Sequence, residues 1–157
     1  MTTDELRVLA TQYRAGLEAE MTLLHQLEAL AARQRQLAQE GDLGTVQPLI
    51  DARDRVMASL VAIEHELKPI RASLAAHRTT LETLSDYDEL TTQHREAAEL
   101  VSAILSTDQQ SMDALREAEQ ARRFAAKSLE QGESTLAAYR RVVAPPLSAA
   151  TLVNRKG

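Results

Sequence analysis

Apolar residues recur along this chain in steps of three and four nearly from one end to the other. The longest unbroken run lies between Asp88 and Val143. Its stripe passes through Leu90, Ala97, Val101, Ile104, Leu115, Ala118, Ala125, Leu129, Leu136, Tyr139 and Val143, with His94, Asp108, Ser111, Arg122 and Gly132 at the same phase. A seven-residue repeat kept this long means a helix lying against other helices along one seam. No proline falls between Pro69 and Pro145 to interrupt it. At 1.5 Å per residue such a helix reaches roughly 80 Å, longer than a small domain is wide.

Two shorter helices precede it. The first is expected over residues 4–40, with Leu6, Tyr13, Leu17, Met21, Leu24 and Leu27 among its apolar positions. Asp4 and Glu5 suit the positive end of its dipole, and Gly41 suits the cap that needs a positive φ. The second is expected over residues 45–85, through Leu49, Val56, Leu60, Ile63, Leu67, Ile70, Leu74, His77, Leu81 and Leu84. Thr45 and Asp42 compete to cap it, and Pro48 falls in its first turn, where a missing N–H costs little. Pro69 lies inside this run, yet the apolar phase carries on from Leu67 to Ile70, which predicts a bend and not a loop. Ser85-Asp86-Tyr87-Asp88 then reverses the chain into the third helix, residues 88–143. Ala144-Pro145-Pro146 stops that helix, and residues 144–157 are expected to form a mobile tail.

Short connections make successive helices antiparallel neighbours. The expected fold is all-α: a single elongated antiparallel three-helix bundle, a coiled-coil hairpin in which the long third helix overhangs the second by roughly 20 Å. Phe124, Leu129, Leu136, Tyr139, Val142 and Val143 fall in the overhanging part. An apolar stripe left without cover marks a contact with a partner or with a second copy, so these six are the candidate partner-binding residues.

Composition sharpens this picture. Hydrophobic residues make up 44% of the chain but aromatic ones only 3%, with one Phe and no Trp, so the seam is built of Leu and Ala. Charge is unevenly spread. Residues 86–138 hold eleven acids against five bases, whereas residues 139–157 hold four bases and no acid. An acidic body does not suit phosphate binding, which excludes nucleic acid as the main partner, and the four terminal bases read as a solvated segment. There is no Cys, hence no disulfide and no thiolate metal site. The N-terminal Met-Thr-Thr-Asp-Glu-Leu is not a basic stretch followed by an apolar one, and no apolar run is long enough to cross a bilayer. A cytoplasmic protein without stable membrane insertion is expected.

Catalytic chemistry finds no foothold. None of His25, His65, His77 and His94 has a second His four residues away or a Glu three residues before it, so the ligand pairs of helical metal sites are missing. His77 and His94 both occupy seam positions on either side of the reversal, where they are expected at one level, as a polar layer that fixes register. Asp108 on the seam requires a partner, with Arg53 or Arg33 as the options, and Arg122 reads as solvated surface. No phosphate-binding Gly loop and no nucleophile elbow is present. The remaining acids read as solubilising surface. The expectation is a protein that binds: no enzyme, cofactor or metal.

One local pattern is more specific. The first helix ends in Leu37-Ala-Gln-Glu-Gly-Asp-Leu43 and the second opens with Val46-Gln-Pro-Leu-Ile-Asp-Ala-Arg-Asp-Arg-Val56. This hairpin, with Tyr139-Arg-Arg late in the last helix and the ending Val153-Asn-Arg-Lys-Gly157, resembles the FlgN-type flagellar export chaperones. Pro48, Pro69 and Asn154 depart from the family pattern. The resemblance implies a small acidic cytoplasmic chaperone that binds the aggregation-prone terminal helices of hook-associated filament-junction proteins and escorts them to the type III export gate. It also implies client binding in the last helix, on Leu129, Leu136, Tyr139 and Val143, with Tyr139 and the tail as an alternative contact to the export machinery. The rival expectation is a structural coiled-coil protein that self-assembles, as a homodimer, through the same stripe.

Overall fold

A computed structural model describes the backbone of residues 1–156 and the side chains of residues 1–140. Four α-helices run in chain order: α1, Thr3–Glu40; α2, Val46–Ala76; α3, Arg78–Leu81; and α4, Tyr87–Lys156. A 3-10 turn, Leu43–Thr45, joins α1 to α2. There is no strand among the described residues, so the fold is all-α.

The ends of α1 are set by local chemistry. Thr2 caps it: its hydroxyl accepts from the Glu5 N–H, and the Glu5 carboxylate accepts from the Thr2 N–H at 2.7 Å. This reciprocal box satisfies two of the amide donors that a helix start leaves free. At the other end Gly41 takes φ 73°, its N–H bonds to Ala38 O, and the Asp42 N–H bonds to Leu37 O. Those two bonds make a Schellman ending, and glycine is there because the left-handed conformation costs it nothing. Thr45 makes no side-chain cap, so α2 starts from the 3-10 turn instead.

The second helix differs from the 45–85 expected. Pro69 lies within α2 without ending it, and the helix stops at Ala76. His77 leaves helical geometry at φ −116°, ψ 30°, bonds its N–H to Leu74 O, and turns its Nδ1 onto Ser73 O at 2.9 Å. The apolar repeat does not register the break because Leu74 before it and Leu81 after it enter the same core cluster. The backbone of α4 is helical to Lys156, past the Pro145-Pro146 pair at which the sequence places its end. The side chains from residue 141 onward, those of the expected tail included, lie outside the described residues.

The chain divides into two units, Met1–Leu115 and Arg116–Gly157. The first holds the core, in two clusters. One joins Leu6, Tyr13 and Leu17 of α1 to Leu67 and Leu74 of α2, Leu81 of α3 and Leu90 of α4. The other joins Leu24, Leu27 and Ala31 of α1 to Leu100 and Ile104 of α4, with Val56 and Leu60 of α2 packed against it. Gly16 permits the tightest approach: a Cβ added there would stand 2.3 Å from Leu67 Cδ2. Arg53 and Asp108 pair through two hydrogen bonds, one of them Nη1 to Oδ1 at 2.7 Å, and Arg53 also reaches Gln34 at 3.0 Å. The seam carboxylate thus takes Arg53, one of its two expected partners. In the second unit, every described residue from Gln120 to Arg140 except Ala137 is exposed. Among the described residues, no helix is long and apolar enough to cross a membrane.

Candidate functional site

The second unit carries all six residues expected to bind a partner. Phe124, Leu129, Leu136 and Tyr139 are 77%, 74%, 68% and 66% exposed. At about 100° per residue, Leu129, Leu136 and Tyr139 fall within roughly 80° of one another around the helix, whereas Phe124 is rotated roughly 140° from Leu129. Leu129 and Leu136 thus stand almost in line, Tyr139 lies roughly 80° to one side of Leu129, and Phe124 lies roughly 60° beyond Tyr139 on that same side. Gly132 sits between the two leucines, and the space beyond its Cα is open. This notch contributes to a shallow groove of about 560 Å³ edged by Leu129, Leu136 and Arg140. An apolar strip with a notch one turn wide accepts the side chain of a second helix as a knob. Val142 and Val143 belong to the residues whose side chains are not described. Arg122 is on the surface, where both it and Arg123 bond to Glu119, and those bonds hold the Glu119 carboxyl down to about 2.

The first unit holds a polar network inside a leucine core. Arg71 grips Glu64 through both terminal nitrogens, at 2.5 and 2.9 Å, and donates through Nε to the Tyr13 hydroxyl at 2.9 Å. That hydroxyl, itself a hydrogen-bond partner of His94 Nε2, retains a proton to donate there. Tyr13 is 1% exposed, and its ring stands 5.2 Å from the imidazole of His94, with the Arg71 guanidinium 5.7 Å from its centroid. Glu20, on the same helix as Tyr13, is 8% exposed.

Electrostatics divides the two carboxyls. Burial, followed by the hydrogen bond with Glu64 and that neighbour's charge, pushes Glu20 up to about 7. The bonds from Arg71 hold Glu64 down to about 2 and raise Arg71 itself. One guanidinium stands beside two adjacent carboxyls, so the pair titrates as a unit and gives up its last proton around neutral pH. Burial raises the Tyr13 phenol and partial desolvation, then Arg71, lowers His94, so both stay neutral.

His77 is not part of this network. The expected layer of His77 with His94 is replaced by one of His94, Tyr13 and Arg71, because His77 spends its ring on the carbonyl of Ser73 at the α2 break. In the sequence Glu20 shows only as an acid in phase with the core repeat of α1. Tyr13, Leu17, Glu20, Leu24 and Leu27 follow the core repeat, and Met21 beside Glu20 fills the same turn well enough to disguise a buried acid as a surface one. Among the described residues, no group of three or more His, Asp or Glu side chains stands where it could hold a metal.

Set against protein-family models, curated proteins and solved structures, the chain matches none of them.

Proposed function

We propose that this chain is a cytoplasmic helical chaperone of the flagellar export type, which acts by binding and not by catalysis. In this reading the first unit is an antiparallel three-helix bundle, and the strip of Leu129, Gly132, Leu136 and Tyr139 receives the amphipathic terminal helix of a hook-associated protein. The observation that carries it is that strip: three large apolar side chains, each about two-thirds or more exposed, on one side of a helix. The Schellman-ended hairpin at Gly41-Asp42-Leu43, the segment with the family resemblance, supports the same reading. Hand-over of the client to the type III export apparatus rests on that resemblance.

Truncation after Gly132 tests the site. Peptides copying the terminal helices of hook-associated proteins should bind the full chain and lose binding to the shortened one, while helicity of the first unit persists. Undiminished binding by the shortened chain contradicts the assignment. The same exposed strip also favours a self-assembling coiled coil. Sedimentation across a concentration range separates the two: a dimer that buries the strip at every concentration and resists the peptide favours assembly.

A further inference from the structure

The first unit has an open face of its own, separate from the α4 strip. A groove of about 470 Å³ lies over it, with Leu60, Ala97 and Glu20 among its lining and Val61 and Val101 on its rims. The alanines Ala97 and Ala98 leave it unfilled from the α4 side. Val61 is 64% exposed and Val101 42%, and each rim continues one turn on, to Met57 at 42% and Leu105 at 63%. Two apolar rims with i, i+4 spacing are the shape that a helix fills.

Contacts between α2 and α4 give its direction. Arg53 of α2 meets Asp108 of α4 at one end, and at the other Arg71 of α2 joins His94 of α4 through Tyr13. Rising α2 numbers thus face falling α4 numbers. Along α2 the groove and its rim run from Met57 to Arg71, roughly 21 Å or about four helical turns. The far end is acidic. Glu20 and Glu64 both line the groove, and Arg71 is the single cation beside them. The groups that act on one another there are Glu20 from α1, Glu64 and Arg71 from α2, and His94 from α4, with the Tyr13 hydroxyl of α1 bonded to Arg71 and His94. Glu64 is committed to Arg71 through both oxygens, which leaves Glu20, more than nine-tenths buried, without a cation of its own.

We propose that this groove binds an amphipathic helix of another protein, up to about four turns long, whose apolar stripe packs between Val61 and Val101 and whose lysine or arginine meets Glu20. Arriving there, the cation takes the place of the proton that Glu20 and Glu64 hold between them, and binding releases that proton to solvent. The apolar rims supply affinity, and the acidic end fixes which way the helix lies and selects a basic residue in it. The site does not depend on the α4 strip or on the identity of its client.

The test uses the full chain and a designed amphipathic peptide about four turns long, with Leu at helical i, i+3, i+4 and i+7 spacing and one terminal Lys, labelled for fluorescence anisotropy. Changing that Lys to Glu should weaken binding at least tenfold, as should Val61→Asp or Val101→Asp in the protein. Affinity for the Lys peptide should rise between pH 5.5 and 8. Glu20→Gln should flatten the rise, leaving only what His94 contributes. Leu136→Asp should change none of these. Equal binding of the Lys and Glu peptides overturns the proposal, as does binding that survives both rim substitutions. A dimer of the free chain that Val61→Asp dissolves would assign the groove to a second copy, and that too overturns it.

Discussion

Glu20 is the side chain whose protonation reaches furthest into the packing of this protein. Its folded pKa of about 7 lies above the ordinary 4.5, so the folded state holds the proton more tightly than the unfolded chain does. The stability it contributes is complete below about pH 4.5 and is lost as pH rises through 7. Glu64 has the opposite sign: lowered to about 2, its contribution is present above pH 4.5 and lost as pH falls toward 2. His94, whose proton the fold disfavours, costs stability as pH drops below its ordinary 6.5. Because these effects overlap, the wild-type melting profile alone does not separate them. Gln at position 20 mimics the protonated acid, so the melting temperature of Glu20→Gln minus that of wild type should increase from pH 5 to pH 8.5. A difference that stays constant contradicts the shared proton.

Gly16 is the second decisive residue. Replacing a helical glycine by alanine gains up to about 1 kcal/mol in an open position. Here the new methyl would meet Leu67, itself 3% exposed and without room to step aside, and overpacking of this kind costs about 1–3 kcal/mol. The clash outweighs the propensity. Gly16→Ala should lower unfolding stability in urea by about 1 kcal/mol, and adding Leu67→Ala should bring a loss smaller than the sum of the two single losses. A more stable Gly16→Ala protein would show that α1 and α2 are not in contact at this point.

At the scale of elements, the register of α2 against α4 is held by a charge pair set among apolar seams. The side chains of Arg53 and Asp108 are 21% and 26% exposed, so their hydrogen bonds are partly shielded from water. By contrast, the pair Arg7 with Asp4 is 65% and 90% exposed and its contribution is at most a few tenths of a kcal/mol. Asp108→Ala should cost about 1–2 kcal/mol because it leaves a half-shielded guanidinium with only Gln34. A double-mutant cycle with Arg53→Ala should return a coupling near 1 kcal/mol. Additive losses would mean that the two residues act separately.

Elements were legible in the sequence to the extent that one dominant periodicity governs them. The limits of α1 follow from Asp4, Glu5 and Gly41, and the need of Asp108 for an arginine follows from its place on the seam. The break at His77 leaves no such trace, since Leu74 and Leu81 stay in phase across it. Glu20 was hidden for a related reason: an acid on an apolar stripe cannot be told from its exposed neighbours until α2 supplies Glu64 and Arg71 beside it. Phe124 is the chain's single Phe, and the helix sets it far around from Leu129 and Leu136 but roughly 60° from Tyr139, a relation that a list of apolar positions does not display.

At the scale of the whole molecule, apolar surface is used in two ways. The first unit buries nine leucines in two clusters beside a polar network, and the second leaves leucines and a tyrosine open along α4. If that strip were core, polar substitution would unfold the protein. As a binding face it should tolerate the change, because residues already about two-thirds or more exposed have little burial to lose. The measurement that separates these is the doubly substituted full chain, Leu136→Asp with Tyr139→Asp, titrated with terminal-helix peptides of hook-associated proteins and melted in parallel. Peptide affinity should fall at least tenfold while the melting temperature of the first unit stays unchanged. Full affinity in the variant, or a large fall in melting temperature, would contradict it.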